Sequence, residues 1–290
     1  MAKVHRRIGE FLQNASFVAT DLRLSLIARM APLRLPPIHG NGPRRAQQPA
    51  VLFAACDVLY FFEHAQPLLA SVAAHDPDLP VHIHLYDPTE AVFRICQQMK
   101  DTLGIEFSFT WEIPPASLEP AKKARYFASI RFARLFQLMQ ASGRDFFAID
   151  VDSLVRGDLG PILSQVEGDL GLFFRLKRRT FDARIKAGAL FCRSTPTTMY
   201  FLNELSGRLT RHVLAGRRRW GLDQECIYWT LRIAQVLGPN LAVTALPDSL
   251  LDWHFRDDSL LWTGKGERKR TDSAYAVLRD KLIAGRAIST

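Results

Sequence analysis

Two aspartates, Asp150 and Asp152, follow an apolar run and carry the most specific chemical signal in this sequence. The run from Phe146 to Ile149 is typical of a buried strand, so both carboxylates stand where a strand leaves a sheet. Carboxylates at that spacing can reach one divalent cation that bridges two phosphates, directly or through water. A turn after a strand also selects aspartate for local backbone hydrogen bonds, so the pair alone leaves a structural role open.

A basic segment interrupted by glycine, near the carboxyl end, is the second feature. Gly264 and Gly266 lie within a stretch that contains four cations, Lys265, Arg268, Lys269 and Arg270. Glycine lets a backbone approach an anion closely, and the cations can neutralise its charge. We expect Lys265 and Arg268 to clamp a diphosphate, although a solvated basic turn would have the same composition.

Short apolar runs alternate with helical patterns from residue 50 onward, and this alternation must position both features. Strands are predicted at 50–56, 81–86, 105–109 and 146–149, with helices between them at 64–75, 89–103 and 125–141. Such alternation predicts an α/β fold with a mostly parallel central sheet flanked by helices. Because ligands of these sheets bind at the carboxyl ends of the strands, Asp150 and Asp152 would lie at the binding edge.

The second half of the chain shows a looser mixture of elements. Strands are predicted at 170–174 and 187–192, and helices at 197–214, 222–236 and 272–283. This half would supply the acceptor side of a binding cleft.

The first 48 residues have a different composition. Apolar residues at helical spacing alternate with arginines and precede a proline-rich stretch. We therefore predict a basic amphipathic helix with a linker at 1–48, a catalytic domain at 49–271 and a closing helix and tail at 272–290. The first helix could contact the inner face of a membrane as a peripheral anchor, or it could pack on its own domain.

Composition restricts the class of protein. The chain has 290 residues and is 48% hydrophobic, which is enough for one α/β core. Its cysteines, Cys56, Cys96, Cys192 and Cys226, form no CxxC pair. They indicate neither a zinc cluster nor a disulfide framework, and they favour a reducing, cytoplasmic setting.

Net charge and hydropathy limit the kinds of partner that the protein can bind. The net charge of +9 indicates attraction to an anion, but no apolar run approaches the roughly 18 residues that span a bilayer. The basic residues are scattered and no nucleic-acid motif appears, so we expect no nucleic acid partner. The first predicted strand is not followed by the GxGxxG of dinucleotide-binding enzymes.

Five further segments accompany the aspartate segment Ala148–Val155 in a fixed order. They are Val51–Asp57 with Ala70–Val72 and His75–Pro77, Phe132–Leu135, Ala187–Leu190, Leu222–Glu225 and the Trp262–Lys269 loop around Gly264. Together they resemble retaining glycosyltransferases of family 8 with the GT-A fold. The likenesses are to that family's opening strand, Tyr-Ala-Arg-Leu helix, Leu-Asp-x-Asp-x-Leu-Val segment, Asn-Ala-Gly-Val-Leu strand, Asp-Gln-Asp helix start and His-x-x-Gly-x-x-Lys loop. The resemblance covers roughly residues 50–270.

The resemblance implies an activity and roles for individual residues. The activity is metal-dependent transfer of a sugar from a nucleotide diphosphate donor, of the UDP-sugar type, to a glycan or lipid-linked acceptor, with retention. Mn²⁺ or Mg²⁺ would be held by Asp150 and Asp152. The implied catalytic residues are Arg134, Asp223 and Gln224, and the implied donor-binding residues are Ala54, Cys56, Asp57, Arg134, Asp150, Val151, Lys186, Ala187, Gly188, Gly264, Lys265 and Arg268.

Three positions depart from the family pattern. Leu261 stands where the family has a metal-binding histidine, Cys56 where an aspartate pairs with uracil, and Lys186 where an asparagine contacts the sugar. His254 could replace the missing ligand or be structural. Asp223, at a predicted helix start, could also serve as a helix cap.

The departures keep a second interpretation open. A catalytically inactive GT-A module could bind a nucleotide or glycan, or scaffold an assembly at a membrane. Leu261 and Cys56 are the residues that favour it.

Overall fold

A mixed sheet forms the centre of the protein. The computed structural model describes residues 16–26, 34–45, 50–116, 118–175, 184–217, 220–264, 266, 268–271 and 273–284. The strands are β1 (His39–Asn41), β2 (Val51–Asp57), β3 (Val81–Tyr86), β4 (Phe107–Glu112), β5 (Phe146–Ile149), β6 (Ser153–Val155), β7 (Leu170–Phe174), β8 (Ile185–Cys192), β9 (Val243–Ala245), β10 (Leu251–Asp252) and β11 (Leu261–Thr263).

Helices flank this sheet. Helix α1 occupies 16–26, and α2 (Val58–Tyr60) continues through a π-helical turn, Phe61–Ala65, into α3 (Gln66–His75). The others are α4 (Glu90–Thr102), α5 (Pro120–Ser142), α6 (Gly160–Ser164), α7 (Pro196–Leu214), α8 (Leu222–Leu237), α9 (Arg268–Thr271) and α10 (Ser273–Ala284).

The order of strands creates a binding edge. In the described residues the main sheet runs β1-β4-β3-β2-β5-β8-β7-β9, and a small sheet runs β10-β11-β6. Strands β2, β3, β4 and β5 are parallel, whereas β8 is antiparallel to both β5 and β7. The chain order reverses between β2 and β5, and clefts for ligands form at such switch points. Asp57 ends β2 at this edge, and Asp150 directly follows β5.

Two apolar layers cover the sheet. One lies under α5, α7 and α8 and the other under α3 and α4. Strand β5 is buried at every position because Phe146 and Ala148 face the first layer while Phe147 and Ile149 face the second. Burial of both faces explains the continuous apolar run that the sequence shows there.

Most predicted elements match the structure closely. The strands at 81–86, 146–149 and 170–174 have the predicted bounds, and the predicted helix at 272–283 is α10. The short strands β1, β6, β9, β10 and β11 were missed, because two or three residues give no measurable periodicity. Strand β1 lies within the predicted linker and pairs antiparallel with β4.

Helix α1 packs on the domain. Phe17 is buried and stacks on His212 and Trp229, and Asp21 accepts hydrogen bonds from Arg208. This part of the amphipathic helix therefore has a partner within the chain. The rest of the predicted helix, at 1–15 and at 27–33, lies outside the described residues. Within the described part, every helix is too short or too polar to cross a bilayer.

Candidate active site

A cleft of about 510 Å³ opens at the switch point between β2 and β5. Its walls come from the ends of these two strands, from one face of α5 and from the segment that joins β11 to α9. The lining residues are Ala55, Cys56, Asp57, Tyr60, Ala124, Phe127, Ala128, Arg131, Asp150, Val151, Asp152, Trp220, Gly264, Gly266, Lys269 and Arg270. Both predicted aspartates are therefore in one cleft with several cations.

Asp150 forms an ion pair with Arg131. The guanidinium donates to Asp150 Oδ1, to the carbonyl oxygen of Ala187 at 2.9 Å and to Asp223 Oδ2 at 3.4 Å. Gly188 makes room for this arrangement, since a Cβ there would lie 2.7 Å from Asp150 Oδ2. Strand β8 thus shapes the position of a carboxylate that belongs to β5.

Asp152 forms an ion pair with Lys269. The Lys269 Nζ atom donates to Asp152 Oδ2 at 2.9 Å and to the hydroxyl of Tyr60 at 2.7 Å. Burial, with the charge of the neighbouring Asp150, raises the pKa of Asp152 to about 6, and Lys269 opposes that shift. Because its carboxylate is buried, Asp152 needs a cation beside it to stay ionised.

The segment after β11 brings Lys269 to this carboxylate. The Gly264 amide donates to the Asp152 carbonyl oxygen at 2.7 Å, and the Tyr275 hydroxyl donates to the same oxygen at 2.9 Å. A Cβ on Gly264 would lie 2.6 Å from the Cβ of Lys269, so the backbone and the lysine are in close contact. Ser153 and Thr263 join β6 to β11 through a hydroxyl contact of 2.8 Å.

The arginine predicted to reach the donor lies elsewhere. Arg134 is fully buried beneath the sheet, where it pairs with buried Glu112 and donates to the Pro36 carbonyl oxygen at 3.0 Å. The structure therefore does not place Arg134 in the cleft, where Arg131 lies instead. Three residues turn Arg134 about 60° around α5 from Arg131 and away from the cleft, whereas Ala124 and Ala128 line the cleft with Arg131. Small residues at i−7 and i−3 from Arg131 were the signal that could have identified it.

The remaining predicted catalytic residues lie beside Arg131. Asp223 is buried near the start of α8, and besides Arg131 it accepts the Gln224 amide at 2.9 Å. Burial raises the pKa of Asp223, and the charge of Arg131 partly offsets this. The N-cap of α8 is Gly221, so Asp223 lies within the first turn of the helix, where its carboxylate pairs with Arg131, and Gln224 follows it, half-buried.

The predicted residues of β2 divide between the cleft and the core. Cys56 and Asp57 line the cleft, as Val151 does after β5. Ala54 is fully buried in the sheet and does not line it, so the prediction for Ala54 is not supported; the neighbouring Ala55 lines the cleft instead. Burial raises the pKa of Cys56, and Asp57 accepts the Tyr60 amide at 2.9 Å.

Three predicted cations, Lys186, Lys265 and Arg268, are not among the described lining residues. Lys186 places its Nζ atom 3.5 Å from the ring centre of Trp253 and is not among the lining residues. Lys265 lies outside the described residues, and only the backbone of Arg268 is described. Of the described basic residues in the cleft, Lys269 and Arg270 belong to the predicted basic segment, whereas Arg131 was not predicted.

The donor atoms do not match the predicted metal site. Asp150 and Asp152 are each paired with a side-chain cation, and Leu261, at the position of the missing histidine, is fully buried. Among the described residues, no three His, Cys, Asp or Glu side chains are arranged to hold one metal ion. The side chains present therefore do not fit a dication held by the protein alone, because both predicted ligands already have a cationic partner.

Solved structures, rather than sequences, show what this protein is similar to. No protein-family model matches the sequence, and no curated protein matches it either. The galactosyltransferase LgtC, solved in complex with donor and acceptor sugar analogues, has 16% identity and a TM-score of 0.55 over 83% of this chain and 96% of LgtC.

Two other glycosyltransferases are similar. GlyE from Streptococcus pneumoniae TIGR4 has 13% identity and a TM-score of 0.51, over 80% of this chain and 61% of its own. The bifunctional enzyme WbbM has 14% identity and a TM-score of 0.50, over 83% of this chain and 50% of its own. Identities this low establish fold rather than activity. The protein has the GT-A fold and resembles the glycosyltransferases of family 8.

Proposed function

We propose that this protein is a glycosyltransferase that moves a sugar from a nucleotide diphosphate donor, of the UDP-sugar type, onto a glycan or lipid-linked acceptor. One observation carries the proposal: the GT-A fold has an open cleft at its switch point, with two carboxylates and their paired cations on its walls. A volume of about 510 Å³ suits a nucleotide-sized ligand.

The walls divide the cleft into three parts. The end of β2 at Cys56 and Asp57 would face the nucleoside, and Lys269 would face the diphosphate. The sugar would then lie against Arg131 and Asp223, beneath which β8 runs. This order follows the order of the strand ends along the edge of the sheet. It would place the anomeric carbon between the two carboxylates and the open side of the cleft.

Sugar transfer would depend on positive charges that the folded protein already holds beside the diphosphate. The diphosphate gains negative charge as its bond to the sugar breaks, and fixed cations in a partly buried site stabilise that charge. Arg131 has a planar fork that already spans Asp150, Asp223 and a backbone oxygen, so it can orient the sugar. The resemblance to family 8 supports retention, with the acceptor hydroxyl attacking from the face that the diphosphate leaves.

The acceptor would approach at the rim. Trp220 lines the cleft and is 65% exposed, so its ring offers a surface on which a sugar can stack. The net charge of +9 favours an anionic acceptor or an anionic membrane surface that presents a lipid-linked acceptor. Peripheral contact of this kind, in the cytoplasm, is part of the proposal.

Replacing Asp150 by asparagine tests the function. Asp150→Asn keeps the shape but removes the charge that holds Arg131, so donor hydrolysis should fall about 100-fold while the melting temperature stays close to that of the wild type. Hydrolysis and transfer are measured over a panel of nucleotide sugars. Asp101→Asn, on an exposed turn of α4, is the matched control and should keep full activity.

Assays of the wild-type protein distinguish an enzyme from a binding module. Turnover of any nucleotide sugar, lost in Asp150→Asn, supports the transferase. Binding of a nucleotide sugar without turnover, in the presence of candidate acceptors, would support the inactive module instead.

A further inference from the structure

The ion pairs of the cleft point to a transferase that works without a divalent cation. We propose that Lys269 and Arg131 together supply the two positive charges that a dication would bring to Asp150, Asp152 and the donor diphosphate. This inference rests on the proposed function, because it concerns how the same cleft receives the same donor.

Charge balance is the first step. Each of the two aspartates has a cation within hydrogen-bonding distance, Lys269 for Asp152 and, for Asp150, Arg131, which Asp223 shares. A dication that bound both carboxylates would compete with Lys269 for Asp152 and with Arg131 for Asp150. Separating a partly buried ion pair leaves two charges without partners, and this opposes entry of the metal.

Neighbouring side chains hold Lys269 in place from several directions. Its Nζ atom contacts Asp152 and the Tyr60 hydroxyl, and it lies 4.4 Å from the centre of the Tyr60 ring. Gly264 allows the backbone to approach the lysine closely, and Lys269 is 8% exposed. A lysine held by an acid, a hydroxyl and an aromatic face occupies a built position rather than a solvated one.

The protein has a leucine, Leu261, at the position of the metal-binding histidine in the family pattern. Leu261 is fully buried in β11 and packs in the layer beneath α3, so it cannot turn towards the cleft without opening the core. His254, the alternative ligand, does not line the cleft. A buried leucine at the position of the expected histidine and a cation beside Asp152 favour the same chemistry.

The reaction remains balanced without a metal. The bond between the anomeric carbon and the diphosphate oxygen breaks, and its electron pair stays on the diphosphate. The acceptor oxygen bonds to the anomeric carbon, and its proton passes to the departing diphosphate. Lys269 has three N–H donors, so it can donate to a diphosphate oxygen while it keeps contacts within the protein.

Binding of nucleoside diphosphates to the full-length protein tests the inference. The melting temperature and the affinity are measured for a panel of nucleoside diphosphates, once in excess chelator and once with saturating Mn²⁺. We expect at least one member to bind in chelator, with an affinity that Mn²⁺ changes by less than about threefold, which is under 1 kcal/mol. Binding that appears only with Mn²⁺ would overturn the inference and leave the proposed function standing.

Variants of Lys269 add a result that a structural role would not give. Lys269→Met should weaken binding in chelator about 10- to 100-fold, and Mn²⁺ should then restore both affinity and melting temperature, because Asp152 has lost its cation. Lys269→Arg should retain binding in chelator. Lys100→Met, on the exposed face of α4, is the control and should behave as the wild type.

Each remaining outcome has one meaning. Lys269→Met that binds in chelator as tightly as the wild type would overturn the role given to the lysine. If that variant does not fold, the comparison of chelator with Mn²⁺ in the wild type still decides the matter. If the wild type binds no nucleoside diphosphate and no nucleotide sugar in either condition, the proposed function itself fails.

Discussion

Arg131 and Arg134 lie one helical turn apart in α5 and have unrelated roles. Arg131 faces the cleft, where it joins two carboxylates and the backbone of β8. Arg134 faces the core, where buried Glu112 balances its charge and Gln137 accepts at 2.8 Å. The same residue type thus faces the open cleft in one place and completes a buried polar network in the other.

Substitution of the two arginines should separate these roles. Arg131→Lys keeps the charge but loses the planar fork, so donor turnover should fall about 100-fold with little change in stability. Arg134→Met leaves Glu112 buried without its cation and should lower the free energy of unfolding by about 3–5 kcal/mol. Chemical denaturation and turnover per folded molecule measure the two effects. Equal loss of turnover in both variants would contradict the division.

The sequence identified the acidic half of the site but not its basic half. Asp150 and Asp152 directly follow an apolar strand, so their place at the sheet edge depends only on local pattern. The position of Arg131 depends on how α5 is rotated, and a shift of three residues moves a side chain about 4.5 Å along the helix and about 60° around its axis. Lys269 depends on a glycine contact and a short helix that the pattern does not specify.

Neighbouring strands impose the shape of the site on one another. Strand β8 runs antiparallel to β5, and Gly188 lies beside Asp150, whose amide donates to the Gly188 carbonyl oxygen at 3.1 Å. The absence of a side chain at this one position decides where the carboxylate points. The alternation of strands and helices was predictable from the sequence, whereas this contact between strands is a product of register.

Adding a methyl group at Gly188 should displace the carboxylate. Gly188→Ala places a Cβ 2.7 Å from Asp150 Oδ2, so the carboxylate must turn away from Arg131. We expect turnover to fall at least about tenfold, because the fixed charges of the site are lost, while the melting temperature changes little. Turnover and thermal unfolding are measured together.

Gly207 in α7 provides the matched control. A Cβ there meets only the far end of the Arg211 side chain, at 3.2 Å, which can move. Gly207→Ala should keep full turnover and gain up to about 1 kcal/mol of stability from helix propensity. Full turnover in Gly188→Ala would show that the position of Asp150 does not matter.

Helix α1 docks on α7 and α8 through its buried face. Phe17, Asp21 and Leu24 are the buried residues of α1, and they meet α7 and α8 rather than the sheet. The sequence showed an amphipathic helix but could not show its partner, because a membrane surface and a helix pair select the same pattern. Asp21 links α1 to α7, so the docking of α1 can be tested through the pH dependence of stability.

Asp21 should make stability depend on pH in the acid range. Burial raises the pKa of Asp21, but the His212 hydrogen bond and the charges of Arg208 and Arg211 together lower it to about 2. Since the fold favours the carboxylate, its stabilisation of about 2 kcal/mol is complete above about pH 4 and disappears as the pH falls through about 2. Asp21→Asn should therefore cost about 2 kcal/mol at neutral pH, and the difference from the wild type should shrink in acid. Denaturant unfolding of both proteins across this range, with exposed Asp280→Asn as control, measures it; a constant difference at all pH values would show that α1 is not held by this carboxylate.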